Sequence, residues 1–239
     1  MESVYFCIPG VDLPEAQASV FRMKQSLVIG ASGGIGHAVA AALAARGDTV
    51  TALSRRSDGL DLTDAASVDR VLGALDGPFD LIFVASGALG TPEKSLKDLD
   101  AAAMAAQFAI NTIGPALVLA HAARLLPRKG RSVFAALSAR VGSIGDNRLG
   151  GWYSYRASKA ALNQVLHSGA IEMARSHRET IVTALHPGTV ATSFTAGYRG
   201  RHPAVAPEAS AAHLLAVIDG LTPADTGNFY DWQGERIAW

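Results

Sequence analysis

Ser26-Leu27-Val28-Ile29-Gly30-Ala31-Ser32-Gly33-Gly34-Ile35-Gly36 is the stretch on which the fold of this chain turns. A short apolar run stops at Gly30, crosses a turn of small residues and enters a helical pattern over 35–46. Glycine reaches positive φ without steric cost and lets backbone N–H groups close on a ligand; the helix that follows presents the positive end of its dipole. A pyrophosphate suits that place. The glycines fall as Gly30, Gly34 and Gly36, giving GxxxGxG and not the GxGxxG of many dinucleotide domains. The strand–turn–helix setting is what gives the turn its meaning.

Outward from this unit, apolar runs at 49–53, 81–85, 132–137, 181–185 and 228–231 read as buried strands. Between them 67–75, 99–126, 155–175 and 207–220 read as helices, with a kink predicted at Gly114-Pro115. Strands alternating with helices predict an α/β chain: a single doubly wound Rossmann domain over 23–239, a parallel sheet of about seven strands with helices on both faces. Residues 1–22 read as an appended N-terminal extension. They lack a basic start, and Pro9 and Pro14 interrupt any apolar run, so a secretory signal is not expected. Met23 offers an alternative start.

The 239 residues carry a formal net charge of zero, and the 21 basic residues are scattered, which leaves no electrostatic footprint for nucleic acid. No uninterrupted apolar run reaches the roughly 18 residues a bilayer span requires, so no membrane partner is expected. One cysteine, Cys7, excludes an intrachain disulfide and fits a reducing, cytoplasmic setting. The seven histidines show no metal-ligand spacing, and no metal is expected.

The strand at 49–53 ends in Ser54-Arg55-Arg56. An acidic residue at this place binds a ribose 2′-OH, whereas arginine accommodates a 2′-phosphate; NADP(H) is favoured, with NAD(H) possible. Further on, Tyr155 and Lys159 stand four apart at the head of an alanine-rich helix and share a face. An ammonium ~4 Å from the phenol, at an effective dielectric of ~20, is worth about 4 kcal/mol, or about three pKa units at most. A phenol made acidic in this way can exchange a proton with a carbonyl or alcohol oxygen near neutral pH.

With these pieces in place the chain resembles the short-chain dehydrogenase/reductase family from about residue 25 to its end. Gly30-x-x-x-Gly34-x-Gly36, with Ser32, Gly33 and Ile35, looks like the family's cofactor loop, and Asp61-Leu62 resembles the pair that holds the adenine. Ala85-Ser86-Gly87 takes the place of the family's Asn-Ala-Gly turn. Asn111, Ser138, Tyr155 and Lys159 match its catalytic tetrad, and Pro187-Gly188-x-Val190-x-Thr192 resembles the loop that meets the nicotinamide carboxamide. The run from Val141 to Lys159 and the ending Phe229-Tyr230-Asp231-Trp232 are most similar to the C-factor and sniffer carbonyl-reductase branch.

The resemblance implies an NADP(H)-dependent oxidoreductase acting on a small-molecule carbonyl or alcohol. In it, Tyr155 is the general acid or base and Lys159 lowers the tyrosine's pKa and binds the nicotinamide ribose. Ser138 donates to the substrate oxygen, and Asn111 holds a water that relays protons from Lys159. Asn111, Tyr155 and Lys159 also belong to the cofactor site. Substrate is expected against Trp152, Tyr153 and a mobile lid over 193–203, and a homodimer or homotetramer is expected through the 99–126 and 155–175 helices. Two departures stand out: Ser138 and Tyr155 are unusually far apart, which makes the 140–151 loop a pocket wall, and Ala85 replaces asparagine, removing a strand-bracing hydrogen bond. The alternative is a nucleotide-binding signalling protein of the C-factor kind with little turnover.

Overall fold

Residues 24–197 and 204–239 are described by the structure, a computed structural model; the extension expected over 1–22 lies outside them. The strands are β1 (Gln25–Ile29), β2 (Thr49–Leu53), β3 (Leu81–Val84), β4 (Ser132–Leu137), β5 (Thr180–His186) and β6 (Phe229–Asp231). They form one all-parallel sheet in the order β2-β1-β3-β4-β5-β6. The helices are α1 (Gly34–Ala45), α2 (Arg55–Asp58), α3 (Ala65–Gly73), α4 (Ala101–Phe108), α5 (Gly114–Leu125), α6 (Tyr153–Met173) and α7 (Pro207–Gly220).

Alternation along the strands builds two cores. Leu27 and Ile29 of β1, Phe134 and Ala136 of β4 and Val182 and Ala184 of β5 cluster with Val68, Val118 and Leu162 of α3, α5 and α6. Val28, Val133, Ala135, Ile181 and Leu185 face the other way, onto Val39 and Leu43 of α1 and Leu214 and Ile218 of α7. Both faces are covered, which is why these strands are apolar throughout. Strand order reverses between β1 and β3, so their carboxyl ends open the crevice in which doubly wound sheets bind ligands.

Three expectations are corrected. Among the described residues the sheet has six strands, one short of seven. On its β2 side the chain reverses at Gly59, φ 66°, and the Asp61 N–H bonds locally to the Ser67 hydroxyl, 3.0 Å, so residues 59–62 anchor buried Leu60 and Leu62 without forming a ladder. The 99–126 helix is interrupted one turn before the expected kink, by a π-helical stretch Ala109–Ile113. Pro115 has no N–H to give the Asn111 carbonyl four residues back, and the ladder widens there. The third correction is that α6 begins at Tyr153, ahead of the expected 155. The helical run Ala101–Leu125 has a mean hydropathy of 1.5 and is long and apolar enough, by length and composition, to cross a bilayer; here Val118, Leu119, Ala122 and Leu125 from it are buried in the core of the domain.

Candidate active site

A cavity of about 1180 Å³ opens over the carboxyl ends of β1, β3, β4 and β5. At one end lies the glycine turn. Gly30, at φ 85°, ends β1, and the Gly30 and Ala31 amides both donate to the Leu53 carbonyl, at 2.9 and 3.1 Å. A Cβ on Gly34 would lie 2.6 Å from Thr192 Cγ2, and one on Gly36 would strike the Gly30 carbonyl. These glycines are what space requires. No side chain caps the start of α1 and its first turn has no acidic residue, so its N–H groups and dipole are left for an anion. Ser32, Gly33 and Ile35 line the cavity at the same place.

Around the turn, Ser54, Arg55, Asp61, Leu62, Ala85, Ser86 and Gly87 also line the cavity. Ser54 caps α2 by accepting from the Ser57 amide, 3.1 Å. Arg55 is on the cavity and Arg56, the next residue of α2, is not. Thr63 donates its hydroxyl and its amide to Asp61, at 2.7 and 2.9 Å; those bonds, with help from the Arg55 charge, hold the Asp61 carboxyl below its usual range against a small burial cost. Pro187, Gly188, Val190 and Thr192 line the far wall. Gly188, at φ 74°, abuts the Trp232 ring, and Val190 pairs with Val205. A glycine cradle, an uncapped helix start and an exposed guanidinium fit a dinucleotide with a 2′-phosphate.

At the other end stand Tyr155, Lys159 and Ser138. Tyr155 and Lys159 share a face of α6 as their spacing dictates, with Nζ 6.0 Å from the centre of the phenol ring. The structure does not bear out the expected acidification of the phenol. Tyr155 is 6% exposed and Lys159 3%; burial raises the phenol's pKa well above its ordinary value and pushes the ammonium's down to about 7. Desolvation of each group outweighs their mutual attraction. Lys159 Nζ donates to the Leu137 carbonyl, 2.8 Å. The Ser138 hydroxyl, expected to donate toward substrate, gives its proton to Asn163 Oδ1 at 2.6 Å.

Asn111 is fully buried and stands behind the cavity, not on it. Its Oδ1 accepts from the Ala88 amide and its Nδ2 donates to the Ala88 carbonyl, both at 2.8 Å, and to Ser158 Oγ at 3.1 Å. It therefore braces the loop after β3, where Ala85 cannot. The 140–151 loop forms the outer wall through Arg140, Val141, Asn147, Leu149 and Gly150. Trp152 lines the cavity and Tyr153 does not; of the expected lid, Phe194 packs 6.2 Å from the Tyr155 ring, and 198–203 lie outside the described residues.

Reading the sequence missed Asn163, His186 and Glu93. Asn163 lies four beyond Lys159 on the helix face already singled out, a signal that was there to use. His186 ends β5 on the cavity wall; burial and the Arg140 cation lower its pKa to about 4, with Asp231 pulling the other way. Glu93 gave no sequence signal.

The model of the short chain dehydrogenase family matches residues 24–202. A 1-hydroxy-2-glutathionyl-2-methyl-3-butene dehydrogenase from Rhodococcus sp. (strain AD45) is 35% identical over 232 residues, 91% of this chain and 100% of the relative. The C-signal of Myxococcus xanthus is 35% identical over 164 residues, 68% of this chain and 94% of the relative. The structure of NADPH-bound carbonyl reductase from chicken fatty liver superposes with a TM-score of 0.75 at 22% identity, covering 91% of this chain and 95% of that one, which shows the shared fold.

Proposed function

The chain belongs to the short chain dehydrogenase family and is an oxidoreductase of the CH–OH/C=O couple; from that premise we propose that it uses NADP(H), with Tyr155 as general acid and base. One observation carries the reading: the Tyr155–Lys159 face and Ser138 line the same cavity as the glycine cradle and Arg55. Bound there, the dinucleotide supplies the hydride, which no side chain of this chain can. The turn from Gly30 to Gly36 would hold its pyrophosphate, Arg55 the 2′-phosphate, Asp61 and Leu62 the adenine, and the 187–192 loop the nicotinamide carboxamide. That neighbours of this fold are described with NADPH bound supports the choice.

Tyr155 gives its proton to a substrate oxygen in reduction and takes it back in oxidation. Burial raises the phenol's pKa, so it holds its proton at neutral pH and is available as the acid. A protonated Lys159 lowers the cost of the phenolate left behind. Asn163 holds the Ser138 oxygen in place on the wall. The substrate is a small carbonyl or alcohol with an apolar body, suited to Leu89, Trp152 and Phe194 on the cavity wall. The single cysteine of the sequence suits a cytoplasmic enzyme.

Tyr155→Phe tests this directly. Turnover on any carbonyl the wild type reduces is expected to fall about 10²–10⁴-fold while NADPH affinity, read by fluorescence titration, stays close to wild type. Undiminished turnover would remove Tyr155 from the chemistry. The match to a C-signal favours a second reading, a nucleotide-binding signalling protein; it requires NADPH affinity with no reduction across a broad carbonyl panel.

A further inference from the structure

Three successive residues ahead of Tyr155 sit at left-handed φ: Gly150 and Gly151 at 64° and Trp152 at 54°. Two glycines accept this freely, but Trp152 is the one non-glycine residue with positive φ among those described, and a bulky side chain stays there only when its surroundings hold it. Trp152 is also the cap residue of α6 and offers no side-chain bond to the helix start. The turn is held by two charged residues, one from a distant loop and one from the first turn of α6 itself.

On one side is Glu93, 61 residues before Ser154, in the loop after β3. Its backbone carbonyl accepts from the Trp152 amide at 2.7 Å. Its carboxylate accepts from the Ser154 amide at 3.3 Å and, in a short bond, from the Ser154 hydroxyl. Glu93 is 5% exposed. Burial alone would raise its carboxyl; the bonds from Ser154 and its own amide outweigh that and hold it below the ordinary range, so it is an anion at neutral pH. The anion lies at the positive end of a 21-residue helix, where it is favoured. On the other side Arg156 Nε donates to the Gly150 and Gly151 carbonyls, at 3.2 and 2.9 Å. A Cβ on Gly151 would press on the Glu93 carbonyl at 3.4 Å.

The clasped turn carries two rings of the site. Trp152 lines the cavity and meets Tyr155 edge-on, with centroids 6.3 Å apart and planes at 62°. We propose that Glu93 is a positioning residue of this active site: by clasping the Trp152 amide and both donors of Ser154, it holds the left-handed turn closed and sets Tyr155 and Trp152 against the substrate. The proposal rests on the reading of Tyr155 as acid and base. Glu93 lies outside the cavity lining, so its effect runs through α6.

The test compares wild type with Glu93→Ala, Ser154→Ala and the double variant. It reads kcat, KM, NADPH affinity and the enantiomer ratio of the alcohol made from a prochiral ketone. In Glu93→Ala, kcat is expected to fall about 10–100-fold as the phenol loses its placement, with KM and NADPH affinity within about twofold and the enantiomer ratio eroded as Trp152 relaxes. Ser154→Ala should show a smaller loss of the same kind, and the double variant should be no worse than Glu93→Ala, because both remove one clasp. Hydrogen exchange provides a readout without turnover: in Glu93→Ala the Ser154 amide, bonded to the carboxylate, should lose protection, while the Trp152 amide, bonded to the Glu93 backbone carbonyl, changes less and α1 does not change.

Wild-type kcat and enantiomer ratio in Glu93→Ala overturn the proposal, as does a parallel collapse of NADPH binding. Unchanged exchange at the Ser154 amide in Glu93→Ala overturns the clasp itself. If Glu93→Ala fails to fold, Ser154→Ala decides, and wild-type kcat in that variant rejects the proposal. A wild type inert toward every carbonyl would sink the oxidoreductase reading instead, leaving hydrogen exchange to judge the clasp.

Discussion

Lys159 shows at the scale of one residue what spacing conveys and what it leaves out. That Tyr155 and Lys159 share a helix face follows from 3.6 residues per turn. That neither ion is comfortable there follows from burial, which no local spacing encodes. The stability consequence has a definite sign. Lysine in the unfolded chain titrates at its ordinary value of 10.5, and Lys159 in the fold at about 7. Between those values the unfolded chain binds the extra proton, so the fold gains stability as pH rises from about 7, and below that value the penalty is fully felt. Lys159→Met should abolish turnover, be more stable than wild type at pH ~6.5 and lose that advantage toward pH ~9.5. Denaturant titrations of both proteins at the two pH values check this; a pH-independent difference between them would mean that Lys159 titrates normally.

Among the elements, α5 shows how close helix packing shapes a binding loop. A Cβ on Gly114, the first residue of α5, would meet Leu62 Cβ at 2.7 Å and its carbonyl at 2.8 Å. The loop assigned to the adenine thus rests directly on a helix start that only glycine permits. Gly114→Ala is expected to cost about 1–3 kcal/mol by overpacking and to weaken NADPH binding by displacing Asp61 and Leu62. Gly73→Ala, in α3, meets nothing within 4 Å and should be neutral or slightly stabilising. Denaturation and coenzyme titration of the two variants separate these outcomes; equal effects would mean that the contact at Gly114 does not matter. The split of the 99–126 helix belongs to the same scale. Pro115 announced an irregularity, but its form, a π turn that carries Asn111 to Ala88, depends on what the helix packs against.

For the whole molecule, the helical layer of α4, α5 and α6 exposes Ile113 and Ile171 at 53% and 54%. We propose that this face is covered by a second copy, giving the homodimer or homotetramer that the family resemblance implies. Light scattering should give a mass of about twice the chain's 24.8 kDa or a larger multiple, and Ile171→Asp should reduce it to one chain; a monomeric wild type would discard the assembly. The glycine turn, the alternation of strands and helices, and the Tyr155–Lys159 spacing were set by the sequence alone, because each is governed by neighbours within a few residues, where backbone sterics and helical period act. Six strands in place of seven among the described residues, the Ser138 proton held by Asn163, the depressed Lys159 and the Glu93 clasp were decided only by the tertiary structure. Each depends on which distant groups share a dry space, and desolvation and hydrogen bonding between residues tens of positions apart leave no periodic trace along the chain.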